Sequence, residues 1–361
     1  KELPVFYGGD PATYLIENAF LFLSDIQSYA IRERDDHDRI SYSDSLQKKY
    51  DIQYPIVEEY FDLFLAALKK SGVVDEDHIT KKERILNSGI RGTLSHDIDI
   101  VRRYPKFPSG AIKYYLKKFS IKWAKEVCGY LRERYLISPD MLHRIEKVEK
   151  KQGMSSTFFV IPISTHKKDN KLNMGIIIDE IRKLSDDMEI GLHYPYETLS
   201  DPEKHLNSSI SELSSASLKV SGARAHYLRT DIKVLRALEQ AGIEYDSSLA
   251  FAQMSGYRNG VSFPFKMYDI EKEASMNMWQ IPLTSMDQSF IGYGGRTLKE
   301  FFSNELESPP TAFSHILVHN YNILNTRRSI NLYKDFLVNL KKSGKYVTLT
   351  EYLSEWKSVS G

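Results

Sequence analysis

After Gly92, short apolar runs alternate with amphipathic stretches, and this alternation constrains the fold more than any other feature of the chain. It is typical of repeated βα units, which build a largely parallel sheet or barrel. Seven segments read as strands, namely 92–98, 156–161, 189–193, 222–227, 243–246, 279–285 and 316–319. Helical patterns lie between several of them, as at 231–241 and 331–342. We therefore predict an α/β domain over residues 91–361.

The first 90 residues have a different pattern. An apolar series at helical spacing begins after Pro55 and ends at Ser71 and Gly72, whereas residues 32–51 are charged and polar. We predict a smaller, mainly helical accessory region over residues 1–90. Every plausible ligand follows Gly92, so we expect this region to pack on the α/β domain without supplying a metal ligand or a catalytic group.

Composition excludes several classes of protein. The chain of 361 residues has 49 basic and 48 acidic side chains, so no excess charge points to nucleic acid. Its apolar runs fall short of the about 20 residues that span a bilayer. The single cysteine, Cys128, excludes an internal disulfide, and the lysines within 113–125 read as a solvated helix face. We expect a cytoplasmic protein, or an exported one if a signal peptide preceded Lys1. The oligomeric state is left open.

Residue types that bind metals stand at or just after the ends of five predicted strands. They are Asp97 and Asp99, His193, His226, Asp287, and His319. In a β/α barrel the carboxyl ends of the strands share one face, so these side chains are expected to meet at one mouth. Six other histidines lack this placement and are interpreted as surface or structural residues. They are His37, His78, His143, His166, His205 and His315.

Carboxylates and imidazoles suit zinc or another borderline divalent ion, and a catalytic site keeps one position open for water. Such an ion lowers the pKa of the water and polarises an amide carbonyl. Hydrolysis also requires a base for the water proton and an acid for the leaving amine. The predicted cluster contains enough groups for all these roles.

Six short motifs then suggest a family. They are Thr-Leu-Ser-His-Asp-Ile-Asp at 93–99, Ser-Thr-Phe-Phe at 156–159, Glu-Ile-Gly-Leu-His at 189–193, Arg-Ala-His-Tyr at 224–227, Tyr-Asp-Ser-Ser at 245–248 and Leu-Val-His at 317–319. In this order they resemble the polysaccharide deacetylases with a NodB-homology domain, over roughly residues 90–361. The chain looks closest to a bacterial branch with a helical N-terminal extension.

This resemblance implies a distorted (β/α) barrel that binds a divalent metal and removes an N-acetyl or similar group from an amino sugar or polysaccharide. Zn²⁺ is the expected ion, with Co²⁺, Ni²⁺ and Mn²⁺ as alternatives, and the implied setting is bacterial surface-polysaccharide or cell-wall assembly. The implied roles are Asp97 as catalytic base, Asp99 and His193 as metal ligands, Arg224 as the arginine that orients the base, the backbone N–H of Tyr227 as oxyanion donor, and His319 as general acid.

The third metal ligand departs from the family pattern. Relatives usually carry a second metal histidine a turn after the first, but the residue four positions after His193 is Glu197. Either Glu197 binds the ion, or His226 does, which stands where many relatives have proline. We favour His226 slightly, because imidazole suits zinc. Asp246 and Asp287 are candidate substrate-binding residues, although Asp246 can equally cap a turn and Asp287 can equally bind His319.

Two other classes of function stay open. The Asp-x-Asp pattern at 97–99 also occurs in glycosyltransferases that bind a metal and a nucleotide sugar, but that function leaves the three strand-end histidines without a joint purpose. A non-catalytic glycan-binding protein that has lost activity is the other alternative. Metal-dependent release of acetate, as against release of a nucleotide or no turnover, distinguishes the three classes.

Overall fold

The computed structural model describes residues 4, 6, 8, 14–99, 140–169, 174–307, 312–324 and 327–359. The predicted basic helix face at 113–125 and Cys128 lie outside these residues. Within the part of the chain that is described, no helix has both the length and the apolar character that crossing a bilayer requires.

A single ten-stranded sheet organises the described residues from Ile90 onward, and only its β6–β7 pair is antiparallel. The strands are β1 (Ile90–Ile98), β2 (Ser156–Val160), β3 (Glu189–Tyr194), β4 (Gly222–Ala225), β5 (Tyr245–Asp246), β6 (Phe265–Asp269), β7 (Ala274–Gln280), β8 (Ser285–Met286), β9 (Ser314–Leu317) and β10 (Lys345–Val347). Their order is β6-β7-β5-β4-β3-β2-β1-β9-β8, with β10 beside the start of β1. The prediction of an α/β fold is confirmed.

Two observations define the sheet as a distorted barrel. First, only residues 281–284 connect β7 with β8, although these strands pair toward opposite ends of the strand order. Second, β4 and β1 are three strand spacings apart, about 14 Å in a flat sheet, yet Arg224 Nη1 on β4 lies 3.0 Å from Asp97 Oδ1 on β1. The sheet therefore curls until side chains on β1 and β4 meet inside it.

Helices cover the outside of this barrel. From residue 140 onward they are Met141–Lys150, Met174–Ile181, Pro202–Ser215, Ile232–Gln240, Leu298–Leu306, Asn320–Ile323, Arg327–Leu340 and Leu349–Ser358. The helix predicted at 231–241 begins after Asp231, whose carboxylate accepts a hydrogen bond from the Val234 N–H and so caps it. The helix predicted at 331–342 begins one turn earlier than expected, at Arg327.

One predicted strand is wrong in its extent. The segment 279–285 is divided between β7 and β8, and Pro282 lies in the break. Proline has no N–H to donate, so it cannot continue the ladder. The chain changes partners at this break: the Ile281 N–H donates to the carbonyl of Asp246 on β5, whereas the Thr284 N–H donates to the carbonyl of His315 on β9. The edge strand β6, whose residues alternate between buried and exposed, and the three-residue β10 were not predicted.

The described part of the N-terminal region is helical, as predicted. Its α-helices are Leu15–Leu23, Gln27–Ala30, Leu46–Lys49, Ile56–Lys70 and Lys81–Asn87. Phe22, Ile56 and Tyr60 belong to the same hydrophobic core as the barrel residues Leu94 and Phe158. The region thus packs on the barrel over a common core, and its designation as a separate domain ending at residue 90 stays a prediction.

Candidate metal centre

Three side chains from three strand ends converge at the mouth of the barrel. Asp99 directly follows β1, His193 lies near the end of β3, and His226 directly follows β4. One ligand atom from each lies within 4.8 Å of those of the other two, and all three residues are buried. Asp99 Oδ1 is 3.4 Å from His193 Nε2 and 3.6 Å from His226 Nε2.

Hydrogen bonds fix which nitrogen of each imidazole faces Asp99. His193 Nδ1 lies 3.0 Å from the carbonyl oxygen of Arg224, and a carbonyl can only accept, so Nδ1 carries the proton. His226 Nδ1 likewise donates to the carboxylate of Asp169. In the neutral imidazole the other nitrogen, Nε2, then offers its lone pair to the cluster, which is the arrangement that a metal ligand requires.

The cluster leaves two buried polar atoms without a hydrogen bond, Asp99 Oδ1 and His193 Nε2. Buried polar atoms are rarely left unsatisfied, and these two point at each other as two ligands of one cation would. Burial raises the pKa of Asp99, but the surrounding imidazoles of His193, His226 and His319 outweigh this effect and hold it well below its ordinary value. A carboxylate with two imidazoles fits a divalent ion such as zinc.

Asp97 lies two residues before Asp99, so both side chains point to the same side of the strand. Its Oδ1 accepts a hydrogen bond of 3.0 Å from Arg224 Nη1, and its Oδ2 lies 3.6 Å from His193 Nε2. Arg224 is itself buried and held by Ser95 and Ser247. Asp97 thus stands beside the three-residue cluster with one oxygen fixed and the other directed to it.

His319, after β9, approaches the cluster from the opposite side. Its Nε2 lies 3.8 Å from Asp99 Oδ2, while its Nδ1 donates to Asp287 Oδ1 at 2.6 Å. Asp287 Oδ2 accepts from the His319 N–H and from Asn322 Nδ2. Burial lowers the pKa of His319, but the neighbouring carboxylates, Asp287 foremost, raise it overall to about 9. In this state His319 carries a proton that it can donate at neutral pH.

The chain turns sharply after His226. Tyr227 and Leu228 both have left-handed backbone angles, with φ of 61° and 56°, which side-chain-bearing residues rarely adopt. Arg39 of the N-terminal region donates to the Tyr227 carbonyl and, at 2.8 Å, to the Tyr293 hydroxyl. Arg39, Tyr227 and Tyr293 line a cavity of about 360 Å³ that also contains Asp97, Asp99, His226 and His319. An N-terminal side chain therefore borders the site.

Two predicted site residues lie away from the cluster. The Glu197 carboxylate accepts hydrogen bonds from the backbone and hydroxyl of Thr165, both at 3.2 Å, and lies 3.8 Å from His205. Asp246 is buried on β5 and accepts hydrogen bonds from the N–H and hydroxyl of Ser248 and from Tyr194. Burial raises the pKa of Asp246 to about 6. Its contacts are those of a turn cap rather than those of a side chain exposed to a substrate.

None of the six histidines interpreted above as surface or structural residues joins the Asp99 cluster in the described residues. His315 is buried between the Thr93 hydroxyl and the Ser262 carbonyl, at 3.0 and 2.8 Å, and burial lowers its pKa to about 4. It is a neutral structural side chain. His37 stacks on the Tyr227 ring, with centroids 4.4 Å apart, beside the mouth of the site.

Asp169 is the site residue that sequence reasoning missed. It lies in the loop after β2, is 5% exposed, and accepts hydrogen bonds from His226, Ser164 and the Tyr196 N–H. Burial raises its pKa, but these hydrogen bonds outweigh burial and hold the pKa below its ordinary value. Nothing in the spacing of the sequence connects residue 169 with residue 226.

No protein-family model and no curated protein sequence matches the chain. Among solved structures, it is similar to a putative polysaccharide deacetylase from Mycobacterium smegmatis, with 15% identity, a TM-score of 0.49, and coverage of 75% of this chain and 91% of the other. The peptidoglycan deacetylase PdaC from Bacillus subtilis has 12% identity and a TM-score of 0.41, with coverage of 74% and 92%.

A CE4 family pseudoenzyme from Bacillus anthracis is also similar, with 11% identity, a TM-score of 0.41, and coverage of 74% and 66%. Polysaccharide and peptidoglycan deacetylases are thus among the structures that this chain is similar to, as the order of its motifs predicted. What this chain itself does has to follow from its own side chains.

Proposed function

We propose that the protein is a metal-dependent hydrolase that removes an N-acyl group, in the first place N-acetyl, from an amino sugar or polysaccharide. The observation that carries this proposal is the pair of unpartnered buried atoms, Asp99 Oδ1 and His193 Nε2, next to an anchored His226. Asp97 and His319 flank this group on two sides, which supplies a base and an acid around one position. Amide hydrolysis needs this combination.

Asp99, His193 and His226 would hold the divalent ion, with Zn²⁺ as our first choice. When bound there, such an ion lowers the pKa of a water molecule and polarises the amide carbonyl. Asp97 accepts the water proton through the oxygen that Arg224 leaves free, and His319 donates the proton that lets the amine leave. Asp287 keeps the His319 ring oriented. We assign the oxyanion contact to the Tyr227 N–H, in the left-handed turn that borders the cavity.

The cavity of about 360 Å³ and the polar side chains around it suit a sugar ring with its acyl group. A role in bacterial surface-polysaccharide or cell-wall assembly, and a cytoplasmic location, remain part of this proposal.

The test measures bound metal and kcat side by side on a panel of N-acetylated amino sugars, with released acetate as the product. Asp97→Asn keeps the size of the side chain but removes its ability to accept the proton. We expect it to retain metal and to lose turnover by about 10²–10⁴-fold, the range that general acid–base catalysis contributes. Asp99→Ala and His193→Ala should lose the metal itself.

His226→Ala and Glu197→Ala form the matched pair of controls in the same experiment. We expect only His226→Ala to bind the metal more weakly, since the Glu197 carboxylate is directed to Thr165. Near-parental kcat in Asp97→Asn would contradict the assigned base. Metal binding by the parent without release of acetate from any substrate would favour the non-catalytic alternative, and release of a nucleotide from a nucleotide sugar would favour the glycosyltransferase.

A further inference from the structure

We propose that Asp169, a buried carboxylate on the loop after β2, is the positioning residue that makes His226 an effective metal ligand. This inference rests on the metal site of the proposed function. It concerns the binding of the ion and not the reaction that follows.

The backbone around His226 leaves its ring free to rotate unless another group holds it. His226 begins a short 3-10 turn after β4, and the next two residues have left-handed backbone angles, so the regular hydrogen-bond ladder of the sheet ends before it. A ring flip about the Cβ–Cγ bond would exchange Nε2 for a carbon atom at the side that faces Asp99. The hydrogen bond from Nδ1 to Asp169 Oδ1 excludes this flip and selects the tautomer with a lone pair on Nε2.

Asp169 itself is held in place by contacts that do not involve an ion. Its Oδ2 accepts from the Ser164 hydroxyl, and both of its oxygens accept from the Tyr196 N–H at 3.1–3.2 Å. The carboxylate therefore joins the loops that follow β2, β3 and β4. A rigid acceptor holds a ligand imidazole better than a mobile one, and outer hydrogen bonds of this kind typically contribute about 10–100-fold in metal affinity.

Glu197, four residues after His193, does not take part in the cluster. Its carboxylate accepts hydrogen bonds from the Thr165 backbone and hydroxyl. In the described residues the cluster around Asp99 has only His193 and His226 as its other members. The loss of His226 orientation would thus leave two well-placed ligands, which is too few for tight binding of zinc.

The experiment is a double-mutant cycle on the affinity for Zn²⁺, measured on the full chain without substrate by competition with a chromophoric chelator. We expect Asp169→Ala to weaken binding by about 10–100-fold, and Asp169→Asn to weaken it much less because its amide oxygen can still accept the hydrogen bond. In a His226→Ala background, Asp169→Ala should cause no further loss, because the ring on which it acts is absent. Asp269→Ala, which removes another buried carboxylate far from the cluster, is the control and should bind zinc as the parent does.

Parental zinc affinity in Asp169→Ala would overturn the inference, and so would losses in Asp169→Ala and His226→Ala that simply add. If Asp169→Ala does not fold, Asp169→Asn carries the same test, since its smaller loss must also vanish in the His226→Ala background. A protein that gives the expected coupling but deacetylates no substrate would refute the proposed function and leave this inference standing. A protein that binds zinc and deacetylates a substrate but shows no coupling between Asp169 and His226 would refute this inference and leave the proposed function standing.

Discussion

At the scale of single residues, the site is organised by acceptors behind its histidines. His193, His226 and His319 each bind an oxygen through Nδ1, from Arg224, Asp169 and Asp287 respectively, and each directs Nε2 to Asp99. The three acceptors differ in charge. The acceptor behind His193 is a neutral carbonyl, whereas those behind His226 and His319 are carboxylates. Asp287 is the foremost of the carboxylates that raise the pKa of His319 against the effect of burial, so His319 is suited to donate a proton.

The contact between Asp287 and His319 should be visible in the pH dependence of kcat. A general acid works only while protonated, so turnover is present below its pKa and is lost as the pH rises through it. Asp287 is the main group that raises the pKa of His319 to about 9 against the effect of burial. A bound cation opposes that effect, but it does so equally in parent and variant. We therefore expect Asp287→Asn to move the alkaline limb of the kcat–pH profile to lower pH by about one unit or more.

The control for this prediction is Asn322→Ala. It removes the 2.8 Å hydrogen bond to Asp287 Oδ2 and keeps the charge, so its alkaline limb should stay near that of the parent. Profiles for parent and Asp287→Asn with the same alkaline limb would mean that another group is the acid.

The residues of the cluster were predictable from the sequence to different degrees. Asp99, His193, His226 and His319 could be placed together because each stands at the end of a strand, and the carboxyl ends of parallel strands share one face. Asp169 could not, since it lies in an irregular loop and meets His226 across 57 positions. The distance between two loops in space is not encoded in a periodic pattern. The catalytic and metal-binding roles themselves stay predictions.

At the scale of elements, the strands that could be predicted from the sequence differ in length and burial from those that could not. β1, β2 and β3 were predicted within two residues at each end, because each is buried along most of its length and carries apolar residues between its polar ones. β6 alternates between buried and exposed residues and pairs only with β7, and β10 spans three residues. Such elements form because the neighbouring strand is already in place, and their own sequence does not require them.

The pairing of β1 with β9 leads to a prediction about Gly92. A Cβ at this position would lie 1.7 Å from the carbonyl oxygen of Ser314, a backbone atom that cannot move without opening the ladder. We expect Gly92→Ala to lower the free energy of unfolding by about 3 kcal/mol or more, at the upper end of overpacking effects. The measurement is urea unfolding followed by circular dichroism.

Gly72→Ala is the matched control for this change. Gly72 has a left-handed φ of 72° at the end of the helix Ile56–Lys70, but a Cβ there meets nothing within 4 Å. Only the conformational cost remains, about 1 kcal/mol. If Gly92→Ala were no more destabilising than Gly72→Ala, the close approach of β1 and β9 would not be a tight constraint.

At the scale of the whole molecule, the N-terminal helices and the barrel share one hydrophobic core, and buried polar contacts join them. Asp25 forms an ion pair with Arg258 at 2.8 Å, and both side chains are 7% exposed. Glu58 accepts hydrogen bonds from the backbone and hydroxyl of Ser262. Together with Arg39 at the mouth of the site, these contacts favour cooperative unfolding of both parts as one unit.

The Asp25–Arg258 pair tests this cooperativity. Asp25→Asn keeps the size of the side chain and its tolerance of the left-handed backbone, with φ of 48°, but it leaves Arg258 buried without a counter-charge. Breaking a buried pair in this way costs about 3–5 kcal/mol, and the amide recovers only part of it. The reporter is tryptophan fluorescence, because Trp123, Trp279 and Trp356 all follow residue 90. If the molecule unfolds as one unit, a change at residue 25 must lower the midpoint that these tryptophans report, and circular dichroism must give the same midpoint.

Asp38→Asn is the matched control, since Asp38 also has a left-handed backbone but is 55% exposed and lies 3.5 Å from Arg229. It should cost no more than about 1 kcal/mol. An unchanged fluorescence midpoint in Asp25→Asn, with an earlier separate transition in circular dichroism, would instead mean that residues 1–90 unfold independently of the barrel.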